Sequence, residues 1–554
     1  MKLVNAAGVA TYGKSTQVIR DTLPPVFTSF AKTNAGTDGF ISDNEKALTS
    51  ALWTLTATGS ASIAFSLPLD DTGGSLVCDA AKTYGSATAP RPIDLTSDKA
   101  WAVCAQLEDT AGNIAYGKSQ QIIRDIVAPT FSSLALANDA TDGFINNSEK
   151  ALVTTLWTLN ASGQIATAYT VASDDVGGNL ACNAARTYNQ AMIATPSALI
   201  SDGYYAQCVR LSDEAGNITY GKSASLIRDV IAPTFTSLAS ANAAVDGFVN
   251  NVEKTSGLAM YSLVASGQTT TNFTLALSDA PTAALCNASQ TYGNNSIPLI
   301  SSLSGDGTYA VCVQLIDTAG NLTYGKSSQV VRDTTSPTFI SLALANAAAD
   351  MYINDSEKAL GTLLWSLSAT GHSSAQYTQP MNDTGGALVC DVSKTYGSST
   401  IPFPSSLTTD GAYSLCVKLG DIAGNFVYGK AAQLVRDIVI PSATSISISG
   451  GATSTSSINI TLSLAATDDL ARQMYVTNVA GCASGGVWEN FAATKSWTLG
   501  QSTGTATVYV RYRDAALNLS ACVNDTILND GVAPTGTSVA INAGAASVAG
   551  EAVT

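Results

Sequence analysis

Apolar and polar residues alternate in short segments along the chain, and Gly, Asp and Asn separate these segments. The clearest segment ends at Leu315, where Tyr309, Val311, Val313 and Leu315 fall on one face and Cys312 on the other. A period of two is typical of a strand with one buried face. No convincing helical period of 3.6 residues occurs, so the chain is predicted to be all-β.

The pattern returns at a fixed long spacing. The segment DTAGNIAYGKSQQIIRD begins at Asp109 and recurs as DEAGNITYGKSASLIRD from Asp213, which is 104 residues later. Related copies begin at Asn5, Asp317 and Asp421. A fixed period of this length indicates a tandem array of similar domains, each large enough for its own core.

Each full copy is predicted to be a seven-stranded β-sandwich, because its segments are short and turn residues bound them. The strands expected in the second copy are Ser132–Leu136, Ala151–Leu159, Ile165–Ala172, Asn179–Asn183, Tyr204–Leu211 and Tyr220–Arg228, after an opening segment at 128–131. The array is expected to contain the end of a truncated repeat at 1–21, repeats at 22–125, 126–229, 230–333 and 334–437, a divergent domain at 438–530 and the start of another at 531–554.

The first residues are predicted to be part of a strand rather than a signal peptide. Met1 to Leu3 align with Val417 to Leu419, which lie inside an alternating segment. The sequence is therefore expected to be a window from a longer polypeptide, with any signal or anchor outside it.

The net charge of the chain limits the classes of function that are compatible with it. The 554 residues carry 27 basic and 42 acidic side chains, a formal charge of −15. This argues against a nucleic-acid partner, which needs basic patches. No apolar run approaches the roughly 18 residues that span a bilayer. An extracellular acidic protein that recruits divalent cations fits these numbers.

Eight of the ten cysteines follow the period, and the other two lie 40 residues apart in the divergent domain. Two cysteines in each full unit predict one disulfide per domain in an oxidising compartment. Zinc is the alternative, and a single histidine and the absence of CxxC pairs count against it. Since Cys312 falls opposite the core face, we expect the disulfide on the outer side of the sheet. The cysteines are Cys78 and Cys104, Cys182 and Cys208, Cys286 and Cys312, Cys390 and Cys416, and Cys482 and Cys522.

Several repeated side chains are predicted to be structural. Trp53, Trp157, Tyr261 and Trp365 occupy one repeated position and are expected in the core. Lys118 and Arg124, with their copies, are expected to face solvent. Carboxylate pairs such as 70–71 are expected to be turn residues rather than an acid–base pair.

A family resemblance follows from the DxAGN turn, the Arg-Asp strand end, the junction Asp125 to Pro129, and the segment with Asp142, Gly143 and Glu149. These motifs resemble the bacterial Ig-like repeats of giant surface adhesins and biofilm proteins. The resemblance implies Ig-like sandwiches joined end to end outside the cell. It also implies calcium at acidic junction residues, for which Asp125 is the candidate. The unit from 438 resembles a second bacterial Ig-like subfamily.

A polar loop is the best candidate metal site. Counting Asn138 as one places Asp142 at five, Gly143 at six and Glu149 at twelve, which is the spacing of an EF-hand calcium loop. Position three offers no ligand, so an Asx-rich turn is an equal alternative. The candidate calcium ligands are Asn34, Asp38, Glu45, Asn138, Asp142, Glu149, Asn242, Asp246, Glu253, Asn346, Asp350 and Glu357.

The leading functional hypothesis is a mechanical spacer in an extracellular stalk or filament, with neighbouring arrays, surface receptors or glycans as partners. No catalytic motif occurs, so the chain is not expected to be an enzyme. One alternative is a binding array for glycans or proteins, and another is a phage fibre or decoration protein. The alternatives differ in whether Tyr84, Tyr188, Tyr292 and Tyr396 form exposed sites or cover the disulfides.

Overall fold

A computed structural model describes residues 1–280, 284–468 and 472–536. In these ranges the regular elements are β-strands and three-residue 3-10 turns. No helix in the described residues is long and apolar enough to cross a membrane. Of the further unit predicted at 531–554, residues 537–554 lie outside the described residues.

The second copy shows the strands of a repeat, numbered here within the repeat. They are β1 (Thr130–Leu136), β2 (Phe144–Ile145), β3 (Trp157–Ser162), β4 (Ala166–Tyr169), β5 (Ser173–Asp174), β6 (Gly203–Ala206), β7 (Cys208–Ser212), β8 (Ile218–Lys222) and β9 (Leu226–Arg228). Seven have three or more residues, as predicted, and β2 and β5 are added two-residue strands. The 3-10 turns of this copy are Asn138–Ala140, Val176–Gly178 and Pro196–Ala198.

The other three copies have the same nine strands at the 104-residue spacing. The first has Val26–Lys32, Phe40–Ile41, Trp53–Thr58, Ser62–Phe65, Leu69–Asp70, Lys99–Ala102, Cys104–Glu108, Ile114–Lys118 and Ile122–Arg124. The third has Thr234–Ser240, Phe248–Val249, Tyr261–Ser266, Thr270–Phe273, Leu277–Ser278, Gly307–Ala310, Cys312–Ile316, Leu322–Lys326 and Val330–Arg332. The fourth has Thr338–Leu344, Tyr352–Ile353, Trp365–Thr370, Ser374–Tyr377, Met381–Asn382, Gly411–Ser414, Cys416–Gly420, Phe426–Lys430 and Leu434–Arg436.

The remaining strands flank these four copies. Near the start of the chain, Lys2–Val4 pairs with Ala10–Tyr12, so the first residues lie in a strand as predicted. The divergent domain has a three-stranded and a five-stranded sheet. Its strands are Ser442–Ile448, Ser454–Thr455, Asn459–Thr467, Gln473–Thr477, Trp488–Asn490, Thr494–Thr498, Thr503–Arg513 and Val523–Asp530.

Three sheets form each repeat. Strands β1 and β3 pair antiparallel with a bulge, and β4, β7 and β8 form an antiparallel sheet in that order. The third sheet has the order β2-β9-β6-β5, in which β2 runs parallel to β9. This all-β organisation, with one disulfide in each unit, confirms the predicted fold class.

The chain changes sheets where the sequence predicts uninterrupted strands. The predicted strand Tyr204–Leu211 is divided at Gln207, whose N–H donates to Ser223 Oγ at 2.8 Å instead of continuing a ladder. The predicted strand Tyr220–Arg228 is also divided, because one strand ends at Lys222, next to Ser223, and the next begins at Leu226. Two further predictions are wrong, because no strand forms over Asn179–Asn183 and the strand predicted from Ala151 begins only at Trp157.

The core lies between the sheets and confirms the predicted faces. In the third copy Val311, Val313 and Leu315 are fully buried, and Tyr309 packs against them. The repeated aromatic position is also buried. Trp157 has no exposed surface, and its indole Nε1 donates to the Ala224 carbonyl at 2.8 Å.

The five predicted disulfides form, and each lies within one unit. Cys208 lies on the side of the sheet opposite the core, as predicted, but it is fully buried. It packs with Leu180, Ala206 and Tyr188 in a small apolar cluster separate from the main core. The segment between β5 and β6 folds over the outer face of the sheet and covers the bond. The alternation of apolar residues does not predict this covering. The pairs are Cys78–Cys104, Cys182–Cys208, Cys286–Cys312, Cys390–Cys416 and Cys482–Cys522.

A glycine within β8 allows an aromatic ring to close the edge of the sandwich. A Cβ placed on Gly221 would lie 2.4 Å from the Phe131 ring, so the ring sits directly on the glycine backbone. The same approach recurs for Phe27 on Gly117. A strand-interior glycine of this kind marks a close approach rather than a turn.

Replacing Gly221 by alanine is expected to destabilise its repeat by about 1–3 kcal/mol, because the methyl group displaces the ring. Calorimetry of the full chain measures this as one domain transition that separates from the others. Gly361→Ala is the control, since nothing lies within 4 Å of its added Cβ. Equal effects of the two substitutions would contradict the proposed close packing.

A buried aspartate anchors the turn after β5. Asp175 is 2% exposed, and its Oδ1 accepts from the Leu180 N–H at 2.8 Å and from Lys222 Nζ at 2.7 Å. Lys118 and Arg124, which were predicted to face solvent, are only partly exposed, since Lys118 forms the equivalent pair and Arg124 bonds Asp98. In the folded repeat, acidic turn residues contact strand ends that the sequence pattern predicts to face solvent. The buried turn aspartates are Asp71, Asp175, Asp279 and Asp383.

Acid is expected to weaken the second copy through Asp175. Burial alone would raise the pKa of this carboxyl, but hydrogen bonds from Lys222 and Ser225 outweigh it and leave the pKa below its ordinary value. A lowered folded-state pKa stabilises the protein above the unfolded pKa of about 3.9, and this stabilisation is lost as pH falls through the folded pKa. Asp175→Asn should cost about 1–3 kcal/mol at neutral pH and flatten this acid dependence.

Urea unfolding of the full chain at neutral and acidic pH measures this effect. Asp174→Asn is the matched control, because Asp174 is exposed and its Oδ1 only accepts the Val176 N–H. The interpretation fails if both variants keep the acid dependence of the parent chain.

Candidate metal centre and interdomain junction

The AGN motif is a closed turn at one end of each repeat. Asp213 Oδ1 accepts the Asn217 N–H at 2.8 Å, and Gly216 has a φ of 85°, which favours glycine. Asp109 and Asn113 form the same turn, with Gly112 at a φ of 89°. The motif is therefore a glycine-dependent turn with a capping aspartate.

The turn also holds the preceding repeat. Asn217 Nδ2 donates to the Asp125 carbonyl at 2.8 Å, and Asn217 Oδ1 accepts the Asp43 N–H at 2.7 Å. Asp125 ends the first repeat, and Asp43 lies in that repeat's polar loop. Because Asn217 is 2% exposed, solvent does not compete readily for these bonds. One side chain thus joins two segments of the preceding domain, and we call this contact the asparagine clasp.

The asparagine clasp recurs along the array. Asn321 bonds the Asp229 carbonyl and the Asn147 N–H, and Asn425 repeats the contact one period later. Asn518 of the divergent domain bonds the Asp437 carbonyl at 2.8 Å and the Asp355 N–H at 2.9 Å. The divergent domain therefore keeps the same junction although it has lost the AGN motif.

The predicted calcium loop supplies the other half of this clasp. Glu149 Oε2 accepts the Asn146 N–H at 3.0 Å, and this bond shapes the loop beside Asn147, whose N–H reaches the next repeat. Asn138 Nδ2 donates to the Thr155 carbonyl, and Asp142 Oδ1 accepts the Phe144 N–H. The Asp142 bond is that of an Asx turn, whereas the Asn138 bond reaches a carbonyl 17 residues away. The other copies repeat them.

Two carboxylates of the fourth loop lie close enough to interact. The pKa of Glu357 is raised by burial and, to a smaller extent, by the charge of Asp350. Calcium binding by this loop and its copies stays a prediction.

Within the described ranges, one group of three carboxylates converges, at the junction before the divergent domain. Ligand oxygens of Asp437, Asp468 and Asp514 all lie within 4.8 Å of one another. Burial raises the pKa of Asp437 and of Asp514, and repulsion between these carboxylates adds to the effect. Such mutual repulsion favours a bound cation.

The third carboxylate distinguishes this junction from those between repeats. Thr467 pairs with Ser442 at the start of the first strand of the divergent domain, as Ser162 pairs with Thr130. Asp468 therefore occupies the place of Gly163. Asp437 was predicted only through its copy Asp125, and Asp468 and Asp514 were missed. A position-by-position alignment of the divergent domain with the repeats was the sequence signal that could have indicated these two residues.

A cavity of about 450 Å³ opens beside this carboxylate group. Its lining includes Asp410, Arg436, Asp437, Thr467 and Asp468. Arg436 pairs with Asp410 at the rim of this cavity. The cavity gives an ion access from solvent.

The repeated tyrosines lie against the disulfide segment, as expected. Tyr188 packs on the small cluster with Cys208, and its hydroxyl donates to the Asn183 carbonyl at 3.2 Å. Its ring centroid lies 5.4 Å from that of Tyr220 on β8. The ring pair is half-buried rather than covered.

No family model matches the sequence, and no curated protein matches it. Among solved structures, the chain is similar to a Ca2+-stabilized adhesin of an Antarctic bacterium that binds ice, at 18% identity over 74% of this chain and 99% of that one, with a TM-score of 0.27. It is also similar to a tetra-tandem repeat from the extending region of a large adhesion protein, at 15% identity over 72% and 99%, with a TM-score of 0.26. The human desmocollin-1 ectodomain matches at 10% identity over 94% and 100%, with a TM-score of 0.24. Likenesses this distant support no inference about function.

Proposed function

We propose that the chain is a spacer region of an extracellular bacterial surface stalk or filament, in the manner of adhesin repeats. The asparagine clasp carries this proposal. Domains that move independently do not require a buried side chain that fixes each domain to the one before it. Repeating the contact at successive junctions limits bending along the whole array.

The disulfides support the same role. Each closes a loop within one unit and so shortens the length of chain that pulling can release. They also fit an oxidising extracellular compartment. Units that resist extension, joined by junctions that resist bending, suit a stalk.

Small-angle X-ray scattering of the full chain tests the junctions. The triple variant Asn217→Ala, Asn321→Ala and Asn425→Ala should scatter as a chain with flexible hinges. The control variant Asn160→Ala, Asn295→Ala and Asn490→Ala replaces exposed asparagines and should scatter like the parent. Parental scattering from a folded clasp variant would overturn the spacer proposal.

We also propose that calcium binds the carboxylate group Asp437, Asp468 and Asp514. Calcium takes six to eight oxygen ligands, and three carboxylates supply up to six. Because Asp437 belongs to the fourth repeat and the other two to the divergent domain, bound calcium would stiffen this junction.

Titration calorimetry with calcium chloride tests this site. Asp468→Gly installs the residue found at the equivalent place in the repeats, so the fold is expected to tolerate it. The variant should lose one calcium equivalent, or bind it at least tenfold more weakly. The same calcium binding in the parent and the variant would refute the site and leave the spacer proposal standing.

A further inference from the structure

The outer face of the β4-β7-β8 sheet in the second copy combines paired aromatic rings with positive charge. Tyr188 and Tyr220 lie with centroids 5.4 Å apart, and Arg210 is the direct cross-strand neighbour of Tyr220. Arg186 lies two residues before Tyr188 in the segment that covers this face. All four are half-buried, which leaves part of each accessible.

The two arginines are not neutralised within the described part of the chain. Neither has a carboxylate at ion-pair distance, whereas neighbouring Lys222 and Arg228 are each paired with aspartate. Arg186 Nε instead donates to the Ala181 carbonyl. These guanidinium groups create a local positive potential on a protein whose formal net charge is −15.

The other copies vary the charge but keep the rings. The ring pairs Tyr84–Tyr116, Tyr292–Tyr324 and Tyr396–Tyr428 have centroids 5.3 or 5.4 Å apart. The position of Arg186 holds Lys82, Gln290 or Lys394, and that of Arg210 holds Gln106, Gln314 or Lys418. Each position is therefore basic or glutamine in every copy. Asp79 and Asp391 lie against Tyr84 and Tyr396 in the first and fourth copies, where the second copy has Asn183, so the second copy is the most basic.

We propose that this face binds an acidic polysaccharide, with the second copy as the strongest site. A uronate chain presents flat sugar rings to the tyrosines and carboxylates to the guanidinium groups, which suit planar, bidentate recognition. Weak sites repeated along one array add by avidity when a long polymer contacts several of them. This binding goes beyond the spacer role and does not depend on it.

The test measures binding of polygalacturonate to the full chain in buffer with EDTA, which removes calcium bridging. Its fully methyl-esterified form keeps the sugar rings without the charges. The parent chain should bind the acidic polymer at least tenfold more tightly than the ester, and added salt should weaken this binding. Equal binding of both polymers, or of neither, would overturn the proposal.

Two variants of equal net charge locate the site. The face variant replaces Lys82, Arg186, Arg210, Lys394 and Lys418 by glutamine, which the third copy carries at both repeated positions, so folding should persist. The control variant replaces Lys2, Lys14, Lys32, Lys150 and Lys254 by glutamine. The face variant should bind at least tenfold more weakly, and the control within twofold of the parent. An equal loss in both would show a general charge effect and overturn the assigned face.

The tyrosines separate a sugar site from a general polyanion surface. Replacing Tyr188 and Tyr220 by alanine should weaken polygalacturonate binding at least fivefold, whereas replacing both by phenylalanine should preserve it, because the rings remain. If a single-stranded DNA oligonucleotide of equal charge binds the parent chain as tightly, the polysaccharide assignment is wrong.

Discussion

Replacing Trp157 by alanine is expected to destabilise the second repeat by about 3–5 kcal/mol, because a fully buried indole leaves a cavity in a small core. The substitution also leaves the Ala224 carbonyl without its donor. Single domains are stable by only about 5–15 kcal/mol, so this repeat should unfold well before the others. Differential scanning calorimetry of the full chain should show one transition at a lower temperature.

The third copy provides the matched control, since it carries tyrosine at this position. Tyr261 is 2% exposed, and its hydroxyl lies 3.4 Å from the Tyr309 carbonyl that it faces as donor. Trp157→Tyr should therefore cost less than half as much as Trp157→Ala. Comparable losses for the two variants would show that ring volume does not determine the stability of this core.

Removing the disulfide of the second copy is expected to cost about 3.5 kcal/mol, the chain-entropy value for a closed loop of this size. The bond joins Cys182 to Cys208 across 26 residues, and Cys208 lies in the small cluster beneath Tyr188. We expect the Cys182→Ala, Cys208→Ala variant to loosen the segment between β5 and β6 first. Hydrogen exchange should report faster exchange there and little change around Trp157.

The same pair of substitutions in the third copy is the control. Cys286 and Cys312 have the same 26-residue separation, so the two variants should lose similar free energy of unfolding in their own repeats. Loss of protection across the whole repeat, rather than in the covering segment, would contradict the separation between this cluster and the main core.

Much of the fold follows from the sequence because its signals are local or periodic. Alternation placed Val311, Val313 and Leu315 on the buried face, and the period paired the cysteines. The division at Gln207 was not predictable in this way, since the alternation continues through it while the hydrogen-bond partners change sheets. Burial of the disulfide depends on a segment that has no regular pattern.

The contacts at the junction are harder to predict from the sequence because they join residues that are far apart in the chain. Asn217 and Asp43 are 174 residues apart, and each looks like an ordinary turn residue within its own loop. The spacing of the polar loop predicted a cation site, whereas its observed bonds shape a docking loop. A signal was available in the retention of Asn518 by a domain that otherwise departs from the repeat.

The carboxylate of Asp279 shows how a repeated residue can be overlooked. The carboxylate pair itself does not recur in every copy, because the third copy has Ser278 before Asp279. Comparing single positions shows that the second residue of the pair is aspartate in every copy, and it is this residue that is buried. Side-chain burial, which the turn sequence does not encode locally, distinguishes the two positions.

Single-molecule pulling of the full chain, with and without a reductant, tests the spacer account most directly. A spacer built of separately closed units should show five separate unfolding events under oxidising conditions, one for each disulfide-closed unit. After reduction, four should lengthen by ~90 Å and one by ~140 Å, the extended lengths of 26 and 40 residues. One cooperative event, or lengths unchanged by reduction, would contradict an array of separately closed units.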